Sequence, residues 1–297
     1  MRKKLSLSNF TFKLVLGFIC LFSFIVVAYP LYFVVIASFS SSTMVNQGQV
    51  IFRIKGFSTY GYGQILKDSR IWIGYRNTIL YSVLGTAINL TVTMPLAYTL
   101  SRREFRLRRP LMALFVFTMY FSGGLIPSYL LMQKLHIMNT IWVMMIPTAV
   151  SVYNVIIARS FVENLPAELY EASQLDGCSH FKYFYMVALP LSKAVISVLF
   201  LYYFVGHWND YFSALMYINE EGMKPLQLIL RDILLRNQAF ANGAGIGSNT
   251  GGGSYAQTYA DQIKFGAIIV STLPLLCIYP FIQKYFEKGV MIGAVKG

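Results

Sequence analysis

The chain has 297 residues, of which 56% are hydrophobic and 12% are charged, whereas a typical soluble domain is about 25% charged. A chain of this composition cannot cover its apolar surface in water, which excludes an ordinary soluble globular protein. The net charge of +13 does not indicate nucleic acid as a partner, because the basic residues flank apolar stretches and form no patch interleaved with aromatic residues. Cys20, Cys178 and Cys277 are isolated, so neither a disulfide framework nor a metal site is indicated.

Six apolar stretches, taken in chain order, are each long enough to cross a membrane, whose hydrocarbon core needs about 20 helical residues. They run over approximately 13–38, 77–100, 110–132, 140–158, 194–216 and 265–283. Helices are expected because lipid leaves the backbone hydrogen bonds to be made within each segment, and the alternating pattern of barrel strands is absent. The first stretch is too long for a signal peptide and lacks a cleavage pattern, so we interpret it as a retained span. The sequence predicts an all-α polytopic membrane protein with six transmembrane helices in a single domain, 1–297.

Basic residues set the expected orientation, since cytoplasmic loops are enriched in lysine and arginine. The loop over 101–109 holds five arginines in nine residues, which favours both termini in the cytoplasm. The segment 161–193 then forms a cytoplasmic loop, and 287–297 forms a cytoplasmic tail. An external loop is expected over 218–264, and its stretch 242–254 is rich in glycine and carries no charge, which indicates flexibility.

The cytoplasmic loop over 161–193 predicts two short helices joined by a glycine turn. Pro166 suits the first turn of a helix, residues 167–175 are mostly good helix formers, and Gly177 suits the left-handed conformation that ends a helix. A second, apolar helix is expected over 181–189, closed by Pro190. The loop displays Glu168, Glu171 and Asp176 around its first helix and turn, as a docking element does.

The same loop resembles the EAA signature, E-A-A-x3-G-x9-I-x-L-P, of permease subunits from binding-protein-dependent ABC importers. The residues at the positions of the signature are Glu171, Ala172, Ser173, Gly177, Val187, Leu189 and Pro190. Ser173 and Val187 replace the alanine and isoleucine of the signature. The segments 121–127, 208–212 and 288–297 are similar to carbohydrate permeases of the maltose type, in a subgroup associated with uronate-containing and plant or algal polysaccharide fragments. The resemblance implies the MetI-like permease fold.

In this resemblance the loop carries a coupling helix that inserts into a cleft of an ATPase subunit. Glu171 would meet a basic group there, Gly177 would permit the turn, and Ala172 would allow close approach. The same surface would include Glu168, Ser173 and Asp176, and the tail residues Gly293, Val295, Lys296 and Gly297 would reach the ATPase dimer interface. The external loop would probe the binding protein. A solvated helix face, a disordered chain end and a passive linker are the open alternatives for these three elements.

The resemblance also implies partners and location. These are a second homologous permease in a heterodimer, two ABC ATPase subunits, an external solute-binding protein and an oligosaccharide cargo, at the bacterial cytoplasmic (inner) membrane. No Walker A motif occurs, so no cofactor is expected on this chain, and ATP and Mg are expected on the ATPase subunits. His136, His180 and His207 are dispersed and no nucleophile elbow is present, so neither a metal site nor catalysis is expected.

Polar residues in or near the predicted spans are candidates for the sugar path, because burying them in lipid is costly. In the fifth span, Tyr203, His207 and Asp210 share one helical face by their spacing of four and three residues. In the third span, glycines and a proline are expected to weaken the helix and open it to a watery cavity. The eight candidates are Tyr120, Ser122, Tyr129, Asn154, Tyr203, His207, Asn209 and Asp210. Plain helix packing, or an interfacial position in the case of Asp210, is the alternative for each of them.

An ion-driven secondary transporter is the alternative function. It would usually require charged coupling residues near the membrane midplane and often two repeated halves, and the sequence shows neither clearly. An intramembrane enzyme would need a converging nucleophile and base or a set of metal ligands, which the sequence also lacks.

Overall fold

The computed structural model describes residues 7–241, 263–280 and 283, and all regular structure within these ranges is helical. The predicted all-α fold class is therefore confirmed. The predicted tail 287–297 with its ATPase-contacting residues, and the glycine-rich stretch 242–254, lie outside the described residues. The chain divides into two compact units, one formed by Met1–Asp68 and Asp232–Thr272 and the other by Ser69–Arg231 and Leu273–Gly297.

The first unit begins with three helices: α1 (Leu7–Ser38), α2 (Ser42–Asn46) and α3 (Tyr60–Lys67). Most apolar side chains of α1 from Phe12 onward are exposed, as expected for a helix that faces lipid. The Tyr32 hydroxyl donates to the Phe52 carbonyl at 2.6 Å, and the Tyr62 hydroxyl donates to Ser38 Oγ at 2.8 Å. The segment that follows α1 is therefore held against the C-terminal half of this helix.

The second unit contains most of the remaining helices. In chain order they are α4 (Ser69–Ser101), α5 (Arg108–Tyr120), α6 (Leu125–Lys134), a 3₁₀ turn (Ile141–Met144), α7 (Val152–Glu163), α8 (Ala167–Leu175), α9 (His180–Tyr183), a π-helical turn (Phe184–Ala188), α10 (Leu189–Leu191), α11 (Lys193–Asn209), α12 (Phe212–Tyr217) and a second 3₁₀ turn (Glu221–Met223). Two further helices, α13 (Leu226–Ala241) and α14 (Ile263–Pro280), are divided between the two units. Both α7 and α11 pack along α4, which is the central helix of the second unit.

The number of continuous membrane-length helices is smaller than the six predicted spans. Among the described residues, three helices are long and apolar enough to cross a membrane: Phe12–Ser38 within α1, Ser69–Ser101 and Ile263–Pro280. Two bent pairs add one crossing each if each pair is counted as a single span. The first pair is α5 with α6, bent by 113°, and the second is His180–Leu191 with α11, bent by 79°.

The predicted third span over 110–132 is interrupted. α5 ends at Tyr120 and α6 begins at Leu125. Gly124 adopts φ +86°, a conformation that a helix cannot contain and that glycine adopts without steric cost. Pro127 then falls in the first turn of α6, where its missing N–H is tolerated. The glycines and the proline therefore break the helix completely, where the sequence predicted only weakening.

The predicted fourth span over 140–158 is wrong as a single helix. Only the 3₁₀ turn is regular before α7, which begins at Val152 and continues to Glu163. Pro147 lies in the irregular stretch, and its ring would clash with a carbonyl in the preceding helical turn while its nitrogen could donate no hydrogen bond. Ser151 then caps α7, with its Oγ accepting from the Asn154 N–H at 3.5 Å.

The predicted fifth span over 194–216 also ends early, because α11 stops at Asn209 and α12 starts at Phe212. Between them, Asp210 Oδ1 accepts a hydrogen bond from the Ser213 N–H at 3.0 Å, as a helix-capping carboxylate does. The residues predicted as a loop over 218–264 include the second 3₁₀ turn and the whole of α13.

An amide–imidazole pair joins α4 to α11. Asn89 Nδ2 donates to the Thr148 carbonyl at 2.5 Å, so Asn89 Oδ1 is the atom that accepts from His207 Nε2, at 2.7 Å. Gly85 leaves the space for the imidazole ring, since a Cβ at this position would come within 2.5 Å of Nε2. A single asparagine therefore links the irregular stretch before α7 to a histidine of α11.

A second polar contact lies one helical turn further along α4. Thr93 Oγ1 and the Tyr203 hydroxyl are 2.7 Å apart, and the Tyr203 oxygen accepts from the Ser151 N–H at 3.4 Å. Thr93 and Tyr203 are buried. The three helices α4, α7 and α11 are thus tied together by side chains that satisfy the free backbone groups around the start of α7.

Candidate functional site

α8 is the exposed helix of the loop over 161–193, which the sequence predicts to be cytoplasmic, and its bounds match the helix predicted over 167–175. Its end is a Schellman motif, in which the Cys178 N–H donates to the Ser173 carbonyl at 2.9 Å and the Gly177 N–H donates to the Gln174 carbonyl at 3.0 Å. Gly177 adopts φ +69°, which disfavours residues with a Cβ by about 1–2 kcal/mol. The turn of the signature therefore depends on glycine at this position.

The second half of the loop is helical from His180 to Leu191, and so it does not end at Leu189 as predicted. The widened π turn over Phe184–Ala188 ends two residues before Pro190 in this helix. Proline cannot donate the hydrogen bond of a regular helix and crowds the preceding turn, and a π turn supplies the extra room. The helix therefore passes the proline and bends only where it meets α11.

The signature divides into a buried half and an exposed half. Tyr183, Phe184 and Ala188 are buried in a core that also contains residues of α4, α7 and α11, and Val187 and Leu189 pack against it. No residue of α8 is fully buried. The apolar end of the signature thus anchors the loop in the helix bundle, while the acidic end is exposed on α8.

The two small residues that follow Glu171 have different surroundings. Ala172 is exposed on α8, where a small side chain leaves room for close approach. Ser173 is half-buried, and its hydroxyl donates to the Tyr170 carbonyl at 2.7 Å. Because this bond satisfies the hydroxyl within the helix, serine replaces the alanine of the signature without disturbing α8.

Arg102 links α8 to α4 through three aromatic rings. Its guanidinium carbon lies 4.4 Å from the Tyr98 ring centroid, 4.6 Å from that of Tyr170 and 5.2 Å from that of Tyr183. These rings belong to α4, α8 and α9, so one cation joins three elements, and such contacts strengthen as water is excluded. Burial raises the pKa of the Tyr170 phenol, Glu104 raises it further and Arg102 opposes them. We call Arg102 and these three tyrosines the arginine–tyrosine cluster.

A cleft of about 660 Å³ opens beside α8 and the arginine–tyrosine cluster. Its walls come from the arginine-rich loop after α4, the end of α7 and the start of α8. The charged residues that line it are Arg102, Arg103, Glu104, Arg108, Glu163 and Glu171. Glu171 therefore stands at the edge of a cleft with charges of both signs, next to the cation that positions its helix.

The outer surface of α8 combines free carboxylates with exposed apolar groups. Within the residues that the structure describes, Glu168, Glu171 and Asp176 form no ion pair. Leu175 is 89% exposed and Phe181 is 72% exposed, on either side of the glycine turn. Acidic and large apolar side chains clustered on an exposed loop are typical of a surface that another protein covers.

Four candidates for the sugar path take part in packing inside the second unit. Tyr203 and His207 are buried and hydrogen-bonded to α4, Asn154 is buried on α7, and Asp210 caps α12. Tyr203, His207 and Asp210 were predicted to share one helical face, but α11 ends at Asn209, before Asp210, and the polar atoms of all three have partners within the chain. A direct role of these four in the sugar path stays a prediction.

The other four candidates are more accessible. Tyr120 is 79% exposed and Ser122 is exposed, at the break between α5 and α6. Tyr129 stacks on Tyr217 with ring centroids 6.2 Å apart. Asn209 is exposed at the end of α11, and its Oδ1 accepts from Gln227 at 3.5 Å. The break after α5 thus exposes the Ser122 hydroxyl and the aromatic rings of Tyr120 and Phe121.

Sequence reasoning missed the arginine–tyrosine cluster, since it treated Arg102 only as one of the five arginines that set orientation. One signal was available, because Tyr98 and Arg102 are four residues apart at the end of a helix and so share a face. The contacts of Arg102 with Tyr170 and Tyr183 arise only when the loop folds back onto α4.

The chain is similar in sequence to membrane components of known transport systems. Residues 71–292 match the family described as binding-protein-dependent transport system inner membrane component. The chain is 37% identical over 284 residues to the polygalacturonan/rhamnogalacturonan transport system permease protein YtcP of Bacillus subtilis, a match that covers 96% of this chain and 97% of that one. It is 37% identical over 268 residues to protein LplC of the same organism, covering 90% and 89%.

A solved structure gives the same relationship. A crystal structure of a bacterial ABC transporter involved in the import of the acidic polysaccharide alginate contains a chain that matches with a TM-score of 0.81 and 30% identity, over 95% of this chain and 98% of that one. The MetI-like permease fold is therefore confirmed.

The family match extends from the start of α4 beyond α14 and includes the whole loop over 161–193 with its signature. It confirms the resemblance drawn from that loop, and it favours an ABC importer over an ion-driven secondary transporter. The chain belongs to the family of binding-protein-dependent transport system inner membrane components, as an integral membrane permease subunit of an ABC importer and not as an enzyme.

Proposed function

We propose that this chain forms half of the path along which an ABC importer carries oligosaccharides, including uronate-containing fragments of plant or algal polysaccharides. One relative is a polygalacturonan/rhamnogalacturonan transport permease, and the similar solved transporter is involved in the import of the acidic polysaccharide alginate. These cargoes share acidic sugar units. Delivery by an external solute-binding protein follows from the family's dependence on one.

The observation that carries the proposal is the form of the cytoplasmic loop. Its acidic helix α8 is exposed and carries no ion pair on Glu171 among the described residues, while Tyr183, Phe184 and Ala188 fix its base in the bundle core. An exposed helix with a buried base can transmit the motion of a docked ATPase to α4, α7 and α11. Glu171 and Asp176 supply charge for the ATPase cleft, and Gly177 supplies the turn.

We place both termini in the cytoplasm and count six crossings. The third crossing is the bent pair α5 and α6, the fourth is the interrupted segment that ends in α7, and the fifth is α11. The support is the arginine-rich loop after α4, which lies next to α8 at the shared cleft. A cytoplasmic α8 requires this orientation.

The assembly we propose is a heterodimer of this chain with a second homologous permease, two ABC ATPase subunits that bind ATP and Mg, and an external binding protein. The tail residues Gly293, Val295, Lys296 and Gly297 contact the ATPase dimer, and the glycine-rich external stretch contacts the binding protein. The sugar passes along Tyr120, Ser122, Tyr129 and Asn209. The packed residues Asn154, Tyr203, His207 and Asp210 hold the helices behind them.

The test is ATPase activity of the purified complex in nanodiscs, with and without its binding protein and a panel of neutral and uronate-containing oligosaccharides. Glu171→Ala removes a docking charge and should weaken the contact with the ATPase by about 2 kcal/mol, or about 30-fold. Gly177→Pro should abolish the stimulation, because proline cannot adopt the φ of this turn.

The matched control is Glu220→Ala, which removes an exposed carboxylate from the predicted external side and should leave the stimulation unchanged. Stimulation that survives in both loop variants would exclude α8 as the coupling helix. Stimulation by neutral sugars alone would exclude the acidic cargo and leave the importer assignment intact.

A further inference from the structure

A groove of about 600 Å³ runs along one face of α5, next to α7, and it has a basic end and an apolar end. Arg108, Arg109 and Arg159 form the basic end. The apolar wall is built mainly from Met112, Val116 and Phe117, and the groove reaches Tyr120 and Phe121 at the far end of α5. We call this feature the basic-ended groove.

The basic end has an excess of positive charge. Arg159 pairs with Glu163 at 2.8 Å, but in the part of the chain that the structure describes neither Arg108 nor Arg109 pairs with a carboxylate. Both arginines also lie in the first turn of α5, which contains no acidic residue. Positive charge at the positive end of a helix dipole is unfavourable unless an anion sits nearby. The charge at this end of the groove is therefore complementary to one compact anionic group.

The apolar wall has the length of one lipid leaflet. Tyr120 lies eleven residues after Arg109, which is about 16 Å along a helix at 1.5 Å per residue. Half of a hydrocarbon core is about 15 Å. Phe117 and Phe121 stack at 4.4 Å and are more than half exposed, so the wall is open and aromatic where an acyl chain would end.

We propose that the basic-ended groove binds an anionic phospholipid, with its phosphate between Arg108, Arg109 and Arg159 and one acyl chain along Met112, Val116 and Phe117, ending where the sugar path begins at Tyr120. The orientation given under Proposed function places this lipid in the cytoplasmic leaflet. The proposal that a lipid binds in the groove does not depend on that orientation. Basic pockets beside transmembrane helices on this side of a membrane are known to bind anionic headgroups. A sugar chain fits less well, because the wall between the arginines and Tyr120 offers no hydrogen-bonding side chain.

The position of the groove gives the lipid a link to the coupling loop. Arg108 lines both the basic-ended groove and the cleft beside α8, and Glu163, the partner of Arg159, lines that cleft as well. A phosphate held by Arg108 and Arg159 thus fixes the first turn of α5 against the end of α7. An anionic membrane would in this way stiffen the base on which α8 stands.

The test uses the complex purified in neutral detergent, titrated with phosphatidylglycerol or phosphatidylcholine, with bound lipid counted by native mass spectrometry. Wild type should retain phosphatidylglycerol selectively. The double variant Arg108→Gln/Arg109→Gln should bind it about 30-fold more weakly, because each arginine at an anionic surface contributes about fivefold. Val116→Trp keeps all three arginines but fills the apolar wall, and it should also lose the selective lipid.

The matched control is Arg106→Gln, which removes an exposed arginine of the same loop that does not line the groove and should leave lipid binding unchanged. Equal retention of the two lipids by wild type, or unchanged phosphatidylglycerol in the double variant, would overturn the proposal. So would arginine-dependent binding of trigalacturonate in place of lipid, which would assign the groove to acidic cargo. If the double variant loses the second permease but keeps its bound phosphatidylglycerol, then the second permease, and not a lipid, covers this face.

Discussion

Replacing Arg102 by glutamine tests whether one cation holds the coupling helix against α4. The guanidinium carbon lies 4.4, 4.6 and 5.2 Å from three ring centroids, and partly desolvated contacts of this kind contribute about 1 kcal/mol each, or about 3 kcal/mol in total. Arg102 Nε is buried without a hydrogen-bond partner among the described residues, which lowers the free energy of unfolding. Removing this atom should raise that free energy by about 1 kcal/mol. We expect the free energy of unfolding to fall by about 2 kcal/mol.

The assay is equilibrium unfolding of the purified chain in mixed micelles, followed by far-ultraviolet circular dichroism. A double-mutant cycle combines Arg102→Gln with Tyr170→Leu, and the coupling energy between the two changes should be about 1 kcal/mol because one ring contact is shared. The matched control is Arg103→Gln. Arg103 is exposed and lines the same cleft, but in the described residues it lies over no aromatic ring.

Two results would refute this reasoning. One is a coupling energy below about 0.3 kcal/mol, which is within the range of independent sites. The other is an equal loss of stability in the Arg103 variant. Arg102→Lys separates charge from shape, because an ammonium group lacks the flat face that stacks on tyrosine. Lysine should restore only part of the stability, and full restoration would mean that the charge alone is sufficient.

Three further substitutions test the packing described above. Gly85→Ala should lower the free energy of unfolding by about 1–3 kcal/mol, because the new Cβ would lie 2.5 Å from His207 Nε2; thermal unfolding in detergent measures this, and unchanged stability would contradict the packing. Gly177→Ala should lower substrate-stimulated ATPase activity through about 1–2 kcal/mol of backbone strain, whereas Gly177→Asn should be milder, since asparagine tolerates positive φ. Tyr203→Phe leaves Thr93 without its partner and should reduce thermal stability by about 1–3 kcal/mol, while an effect on transport without loss of stability would favour contact with the sugar.

Local signals in the sequence were sufficient for α8 and its turn. The helix formers over 167–175 and the glycine at 177 act through backbone preferences that need no distant partner. The structure reproduces both, with α8 spanning Ala167–Leu175 and Gly177 at φ +69°. The all-helical fold follows from composition in the same way, because a lipid environment leaves the helix as the available structure for apolar stretches.

Hydrophobicity alone was not sufficient for the interruptions. The stretch 140–158 is mostly apolar, and its average hydrophobicity conceals the single Pro147, which prevents a continuous helix. Asp210 was interpreted from its depth along a helix that in fact ends one residue before it. Each error came from extending a helix past a residue whose backbone chemistry stops it.

Tertiary contact decided the surroundings of the candidate site residues. Spacing placed Tyr203 and His207 on one face of α11, but it could not show whether that face meets a pore or another helix. The structure turns both toward α4, where Thr93 and Asn89 receive them. The residues that contact Arg102 are separated from it by up to 81 positions, as Tyr183 is, and no local pattern connects them.

The irregular stretch before α7 also sets the order in which this part of the protein can mature during synthesis. Its Ser151 N–H is satisfied by Tyr203, a residue that leaves the ribosome 52 positions later. Until α11 has entered the bilayer, that N–H must be met by water or by a temporary partner, since lipid offers none. We therefore expect the segment that ends in α7 to stay close to the membrane surface or the insertion machinery until α11 arrives, so that the two are inserted together.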